Sequence, residues 1–220
     1  MDAADRAAAL RGEARDASGC ERCGLATTRT RVVYGTGPLD APLMLVGESP
    51  GFHEDREGAP FAGRARELLE RLLEGIGISL ADVYAATIVK CRPPGNRDPL
   101  PDEVSACEPY LYRQLELVRP RVVASLGSFA TTLLAGRALG ITRVHGLEHE
   151  VTIGSRTLLL YPLYHPVAAL YTPTMLEVLE RDLARLPELL GTRAPTERPA
   201  ANAAREPALS GARPVQLGLF

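Results

Sequence analysis

Lysine is almost missing from this chain. Lys90 is the only one, so nearly all positive charge is carried by arginine, whose planar fork bonds two phosphate oxygens at once. An excess of positive charge is missing too: 25 basic against 27 acidic residues give a net charge of −2. That argues against a generally basic nucleic-acid coat, but it leaves a local DNA-binding face open. No apolar run approaches the ~20 residues a bilayer span needs. The start, Met1 to Ala17, alternates Ala, Asp, Arg and Glu without the apolar core of a signal peptide. A soluble, monomeric chain of the cytoplasm is therefore expected. Cysteine is sparse, with only Cys20, Cys23, Cys91 and Cys107. In a reducing cytosol a disulfide framework is disfavoured, and metal or redox roles gain weight.

What is present is an alternation of strand and helix patterns. Residues 1–17 read as a helix, broken by a C-x-x-C loop, and residues 29–37 read as an extended arm ending in a turn. Strands are expected at Leu43–Val46, Val83–Val89, Val122–Leu126 and Leu158–Tyr164, and helices at Arg64–Glu74, Pro101–Val118, Phe129–Leu134 and Met175–Leu190. Glu148–Ile153 followed by Gly154-Ser155-Arg156 reads as a hairpin leading into the last strand. Alternating βα units imply an α/β fold: a central, largely parallel, four-stranded sheet with helices on both faces. One domain is expected over 1–190. Residues 191–214, rich in Thr, Arg, Ala, Pro and Glu, read as a disordered linker, and 215–220 as a separate terminal peptide.

Three groups of residues carry chemistry. The apolar run Pro42–Val46 feeds Gly47-Glu48-Ser49-Pro50-Gly51-Phe52-His53-Glu54-Asp55-Arg56, which runs on to Pro60-Phe61-Ala62-Gly63-Arg64 and the next helix. Ligands of open α/β sheets sit at the carboxyl ends of strands, although a well-capped βα loop would also carry these charges. The four cysteines could together hold zinc or an iron–sulfur cluster, since both accept four thiolates, and spacing does not choose between them. Two buried free thiols beside an incidental C-x-x-C is the plainer reading. In a parallel sheet Glu48, the loop Cys91-Arg92-Pro93-Pro94-Gly95-Asn96-Arg97, Gly127-Ser128 and Tyr164-His165-Pro166 emerge along one edge. A carboxylate, an amide, a histidine and an aromatic ring then meet over one cleft.

These pieces together resemble the type-4, iron–sulfur branch of the uracil-DNA glycosylase superfamily. The resemblance rests on Cys20-Glu21-Arg22-Cys23 with Leu25, Gly47–Gly51, Glu54-Asp55, Gly58–Arg64, Val89–Arg97, Cys107, Ala124–Gly127 and His165-Pro166, in the family's order over roughly residues 18–190. It implies hydrolysis of the N-glycosidic bond of uracil in DNA, leaving an abasic site for base excision repair. It implies a structural [4Fe–4S] cluster on Cys20, Cys23, Cys91 and Cys107. It further implies that Phe61 stacks on the everted uracil, that Gly47, Glu48, Ser49 and Thr87 hold it, and that His165 stabilises the departing anion. Glu54 and Asn96 position and activate the water, with Glu48 contributing to the pocket.

The sequence departs from that pattern in three places. Thr87 stands where the family usually has asparagine, Val167 where the family has serine, and Tyr171 where an arginine often closes the histidine motif. These changes leave open a relative with altered base selectivity (hypoxanthine or xanthine) or a protein that binds uracil or abasic DNA without cleaving it. The end of the chain, Gln216-Leu217-Gly218-Leu219-Phe220, is similar to the short peptides that dock bacterial repair and replication proteins on the sliding clamp.

Overall fold

The computed structural model describes residues 1–191. The linker expected over 191–214, its first residue apart, and the clamp-like peptide at 215–220 lie outside the described residues.

Helix α1 (Ala3–Ser18) starts where the Asp2 carboxylate accepts from the Asp5 N–H at 2.8 Å. Strands β1 (Leu43–Gly47) and β2 (Tyr84–Thr87) are joined through α2 (Phe52–Glu57) and α3 (Gly63–Glu74). Helix α4 (Pro101–Val118) leads to β3 (Val122–Leu126), α5 (Ser128–Ala135) and the short α6 (Ile141–Val144). The hairpin β4 (His149–Ile153) and β5 (Arg156–Leu163) is followed by α7 (Pro166–Ala169), α8 (Pro173–Leu183) and α9 (Leu186–Leu189).

The sheet order is β2-β1-β3-β5-β4, parallel except for the antiparallel β4. The four expected strands form the parallel part, and the expected hairpin adds β4 as a fifth, edge strand. Each central strand is buried on both faces, which is why β1 reads as an unbroken apolar run. Its side chains alternate between two cores. Leu43 and Leu45 join Leu68, Leu69, Leu72 and Leu73 of α3 and Leu179 and Leu183 of α8, whereas Met44 and Val46 join Val104, Leu111, Leu115 and Val118 of α4. The leucine and valine spacing on α3 and α4 gives each helix one apolar stripe. Helix α1 packs on α4, fixed by Arg6, whose guanidinium donates to the Leu117 carbonyl at 2.6 Å and pairs with Asp40.

The expected helix Met175–Leu190 is two helices. Pro187 has no N–H to continue the ladder of α8, so the chain restarts as α9. The expected strand to Val89 stops at Thr87, and the arm at 33–36 closes the outer edge of β2 through paired bonds between Thr36 and Ala85 at 2.7 and 2.9 Å.

The connection β1–α3–β2 runs over one face, and β2–α4–β3 returns over the other to the far side of β1. The carboxyl ends of β1 and β3 therefore diverge at a topological switch point, where an open α/β sheet leaves a crevice.

Candidate active site

That crevice is a cleft of about 690 Å³, lined among others by Gly47, Glu48, Ser49, Glu54, Phe61, Thr87, Asn96 and His165. Every residue assigned above to catalysis or base binding lines this one cleft.

The β1–α2 loop is shaped by Glu54. One carboxylate oxygen accepts from the Gly51 N–H at 3.0 Å, the other from the Ala62 N–H at 2.8 Å. The two loops that wall the cleft are thus tied by one side chain. With both oxygens bonded to backbone, Glu54 is better placed to hold the pocket than to activate water. Asp55, buried beside it, accepts from the Thr30 and Arg31 N–H groups and anchors the arm.

Phe61 is 5% exposed and has a left-handed backbone, with φ 55°. For a non-glycine residue that conformation costs about 1 kcal/mol or more, and the surrounding packing must hold it. Its ring lies against the end of β1, since a Cβ added to Gly47 would come within 3.3 Å of Phe61 Cε1. Glycine at 47 leaves the ring this close to the strand. Thr87, at the end of β2, gives its hydroxyl hydrogen to the Val89 carbonyl at 2.8 Å, and its methyl carbon lies 3.6 Å from that same added Cβ. The hydroxyl expected to read the base edge therefore has no proton to offer.

Asn96 also has positive φ (56°), following Gly95 at 65°, and its Oδ1 accepts from Arg92 Nε at 2.7 Å. Glu48 is half-buried, and loss of water raises its pKa, with Asp98 adding to the rise. Asp98 lines the cleft too, and the sequence reading had left it out. As a lone acid in an irregular loop, it carried no signal.

His165 caps α7. Its Nδ1 accepts from the Val167 N–H at 3.2 Å, so the neutral ring carries its hydrogen on Nε2. Burial lowers the His165 pKa, partly offset by Glu54. The outer lip beyond it is apolar and open: Val167 is 45% and Tyr171 75% exposed.

Cys91 and Cys107 lie in the core on the α4 side of the sheet, and Cys20 and Cys23 pack against it. Cys20 and Cys23 follow α1, Cys91 leaves β2, and Cys107 sits in the apolar stripe of α4. The Lys90 N–H donates to Cys107 Sγ at 3.1 Å, and Arg29 donates to Cys91 Sγ at 3.6 Å and to the Cys20 carbonyl at 2.7 Å. Burial pushes the Cys91 thiol up to about 11 and the Cys107 thiol in the same direction. Cys107 and Cys23 add to the first rise, and Cys23 and Cys20 to the second. Among the described residues no three His, Cys, Asp or Glu side chains are grouped as around a single metal ion.

Lys90, quoted above within Val89–Arg97 but given no role of its own, is fully buried. Its ammonium donates to the Thr87 carbonyl at 2.5 Å and to Gln114 Oε1 at 2.6 Å. A lone lysine inside the run Ile88-Val89-Lys90-Cys91 was a signal that could have found it.

Fold and cleft together define a doubly wound α/β protein with a preformed pocket at its switch point, carrying a neutral histidine donor, carboxylates and an aromatic plate. A model of the uracil DNA glycosylase superfamily matches residues 34–186. The chain is 41% identical over 186 residues to a type-4 uracil-DNA glycosylase of Archaeoglobus fulgidus, covering 83% of this chain and 94% of that one. It is 42% identical over 179 residues to one of Saccharolobus solfataricus (79% and 83% covered). It is 43% identical over 148 residues to one of Thermotoga maritima (67% and 76% covered). The chain belongs to the uracil-DNA glycosylase superfamily.

Proposed function

We propose that the chain is a DNA glycosylase of base excision repair, hydrolysing the N-glycosidic bond of uracil in DNA to leave an abasic site. The observation that carries this is the gathering of His165, Phe61, Glu48 and Asn96 in one cleft, with the His165 proton on Nε2. The scissile bond is shielded inside a duplex, so the nucleotide must be everted into the pocket. Phe61 is the plate it stacks on, and Gly47 and Ser49 border its edge.

As the bond breaks, negative charge grows on the base and positive charge on the sugar. The His165 Nε2–H donates to the anion, and a preorganised donor of this kind is worth roughly 10²–10³ in rate. A neutral ring does this without the cost of burying an extra charge. Glu48 and Asp98 place negative charge where the cationic sugar forms, and Glu48 with Asn96 orients the attacking water. Glu54 keeps the two loops in register.

Cys20, Cys23, Cys91 and Cys107 would hold a [4Fe–4S] cluster. Four cysteine thiolates are the donor set such a cluster takes, and Cys91 and Cys107 are buried in the core against which Cys20 and Cys23 pack. When bound, the cluster cross-links α1's end, the 87–97 loop and α4, a structural rather than a chemical contribution.

Thr87 supports a second reading on base choice. With its hydroxyl spent on Val89, the pocket lacks one donor that would discriminate uracil from deaminated purines. The assay that decides is base release from oligonucleotides containing uracil, hypoxanthine or xanthine, using anaerobically purified protein. Uracil release is expected, and its absence overturns the assignment.

A DNA substrate is consistent with work in the cytoplasm, at the nucleoid. Among the described residues no helix is long and apolar enough to cross a membrane. Gln216, Leu217, Leu219 and Phe220 would dock on the sliding clamp, and a chain ending at residue 214 that kept clamp affinity would refute that partner.

A further inference from the structure

Phe52 opens α2, immediately after cleft residue Gly51, yet its ring is 46% exposed. Two guanidiniums flank it. Arg56 Cζ lies 5.5 Å and Arg92 Cζ 5.2 Å from the ring centre, and His53 meets it edge-on at 5.5 Å. Arg92 also holds Asn96 in the cleft. Among the described residues neither Arg56 nor Arg92 has a carboxylate within ion-pair distance, whereas nearby Arg97 is consumed by two bonds to Glu103 at 2.6 and 2.8 Å. An exposed aromatic ring between two unneutralised arginines, on the rim of a cleft in a net-acidic chain, is a local site for an anion bearing a flat ring.

We propose that Phe52, Arg56 and Arg92 form a strand platform: Phe52 stacks on a base next to the everted nucleotide, and the arginines bond the phosphates on either side. The proposal rests on DNA being the substrate and names the surface that grips the strand outside the pocket. Stacking is indifferent to sequence because every base has a π-face, and guanidiniums add to it by lying over the same ring. The platform adjoins the cleft through two of its lining residues, Gly51, which precedes Phe52, and Asn96, which Arg92 bonds.

The test is direct binding, independent of cleavage. Fluorescence anisotropy gives the Kd of the full chain for a labelled single-stranded oligonucleotide carrying non-hydrolysable 2′-fluorodeoxyuridine, across a salt series. Phe52→Ala and Phe52→Leu are expected to weaken binding roughly tenfold, and Phe52→Trp to restore it. Arg56→Gln is expected to lower the slope of log Kd against log salt by about 0.7, the value for one phosphate on a single strand. Leucine covers the arginine stems as well as phenylalanine does, so Phe52→Leu binding at the wild-type Kd overturns the platform, as does an unchanged salt slope in Arg56→Gln. Circular dichroism checks that each variant is folded. Wild type that binds but releases no uracil would sink the glycosylase reading while leaving these measurements in force.

Discussion

Replacing Gly47 by alanine tests whether the end of β1 holds the Phe61 ring in place. Gly47 is not among the glycines with positive φ, so alanine meets no backbone objection. The whole effect is the added methyl, which would lie 3.3 Å from Phe61 Cε1, 3.6 Å from Cζ and 3.6 Å from Thr87 Cγ2. Carbon pairs settle at about 3.5–4.0 Å, so the ring must retreat by a few tenths of an ångström. Phe61 has little room to do so, being buried with its backbone in the left-handed region. Overpacking of this size costs about 1–3 kcal/mol, which for a domain of this length lowers Tm by roughly 2–12 °C. Since the ring that moves is the one proposed to stack on the base, KM for a uracil oligonucleotide is expected to rise while kcat falls less. Scanning fluorimetry and steady-state excision read the two effects. Adding Phe61→Leu relieves the clash, so Gly47→Ala/Phe61→Leu recovers Tm but not KM. Gly47→Ala with both Tm and KM of wild type would refute the claim that strand and ring bracket the base.

His165→Ala removes the Nε2–H donor and lowers single-turnover excision by roughly 10²–10³-fold, with the protein still folded; undiminished excision would remove His165 from the chemistry. Because burial lowers the His165 pKa in the native chain, the unfolded chain takes up the proton first as pH falls below about 6.5. The native state therefore loses stability as pH drops past that value, and His165→Asn, compared by urea titration at pH 7.5 and 5.5, loses less than wild type. Thr87→Val costs about 1 kcal/mol for the orphaned Val89 carbonyl yet spares uracil kcat, since the hydroxyl did not serve the base. Thr87→Asn adds an amide edge and raises the preference for uracil over hypoxanthine by about 1–3 kcal/mol in competing-substrate assays. Cys107→Ser lowers bound iron and the broad visible absorbance; iron and sulfide at wild-type levels would exclude Cys107 as a ligand.

Much of the fold was legible because its signals are local. The buried parallel strands announce themselves as apolar runs, and α3 and α4 as leucine and valine stripes bounded by glycine or an acidic first turn. The Pro187 break was not, because Met175–Leu190 keeps its apolar spacing across the interruption. In the cleft, residue types could be read from the strand ends, but hydrogen-bond partners could not. Nothing in the letters shows that Glu54 spends both oxygens on Gly51 and Ala62, or that Thr87 turns its hydroxyl to Val89. Both facts depend on how the chain folds back over two to eight residues on either side. Phe52 escaped notice for a similar reason: its arginines come from α2 and from the 91–97 loop, which meet only in three dimensions.

The segment from Thr87 to Arg97 explains why thiols and pocket occur together in one chain. Within it, Thr87 and Asn96 line the cleft, Lys90 bonds Cys107 through its backbone and the Thr87 carbonyl through its side chain, and Cys91 accepts from Arg29. This stretch has almost no regular structure beyond β2, only a short helical turn at Pro94–Asn96 with left-handed backbone at Gly95 and Asn96. Such a loop cannot hold the Asn96 amide to within the tolerance that positioning a water demands by its own hydrogen bonds. It is held on one side by Lys90 and the Cys91 and Cys107 thiols, and on the other by Arg92 on Asn96. Loosening the sulfur side should therefore appear first as misplacement of Asn96 and a fall in kcat, before any global loss of the sheet.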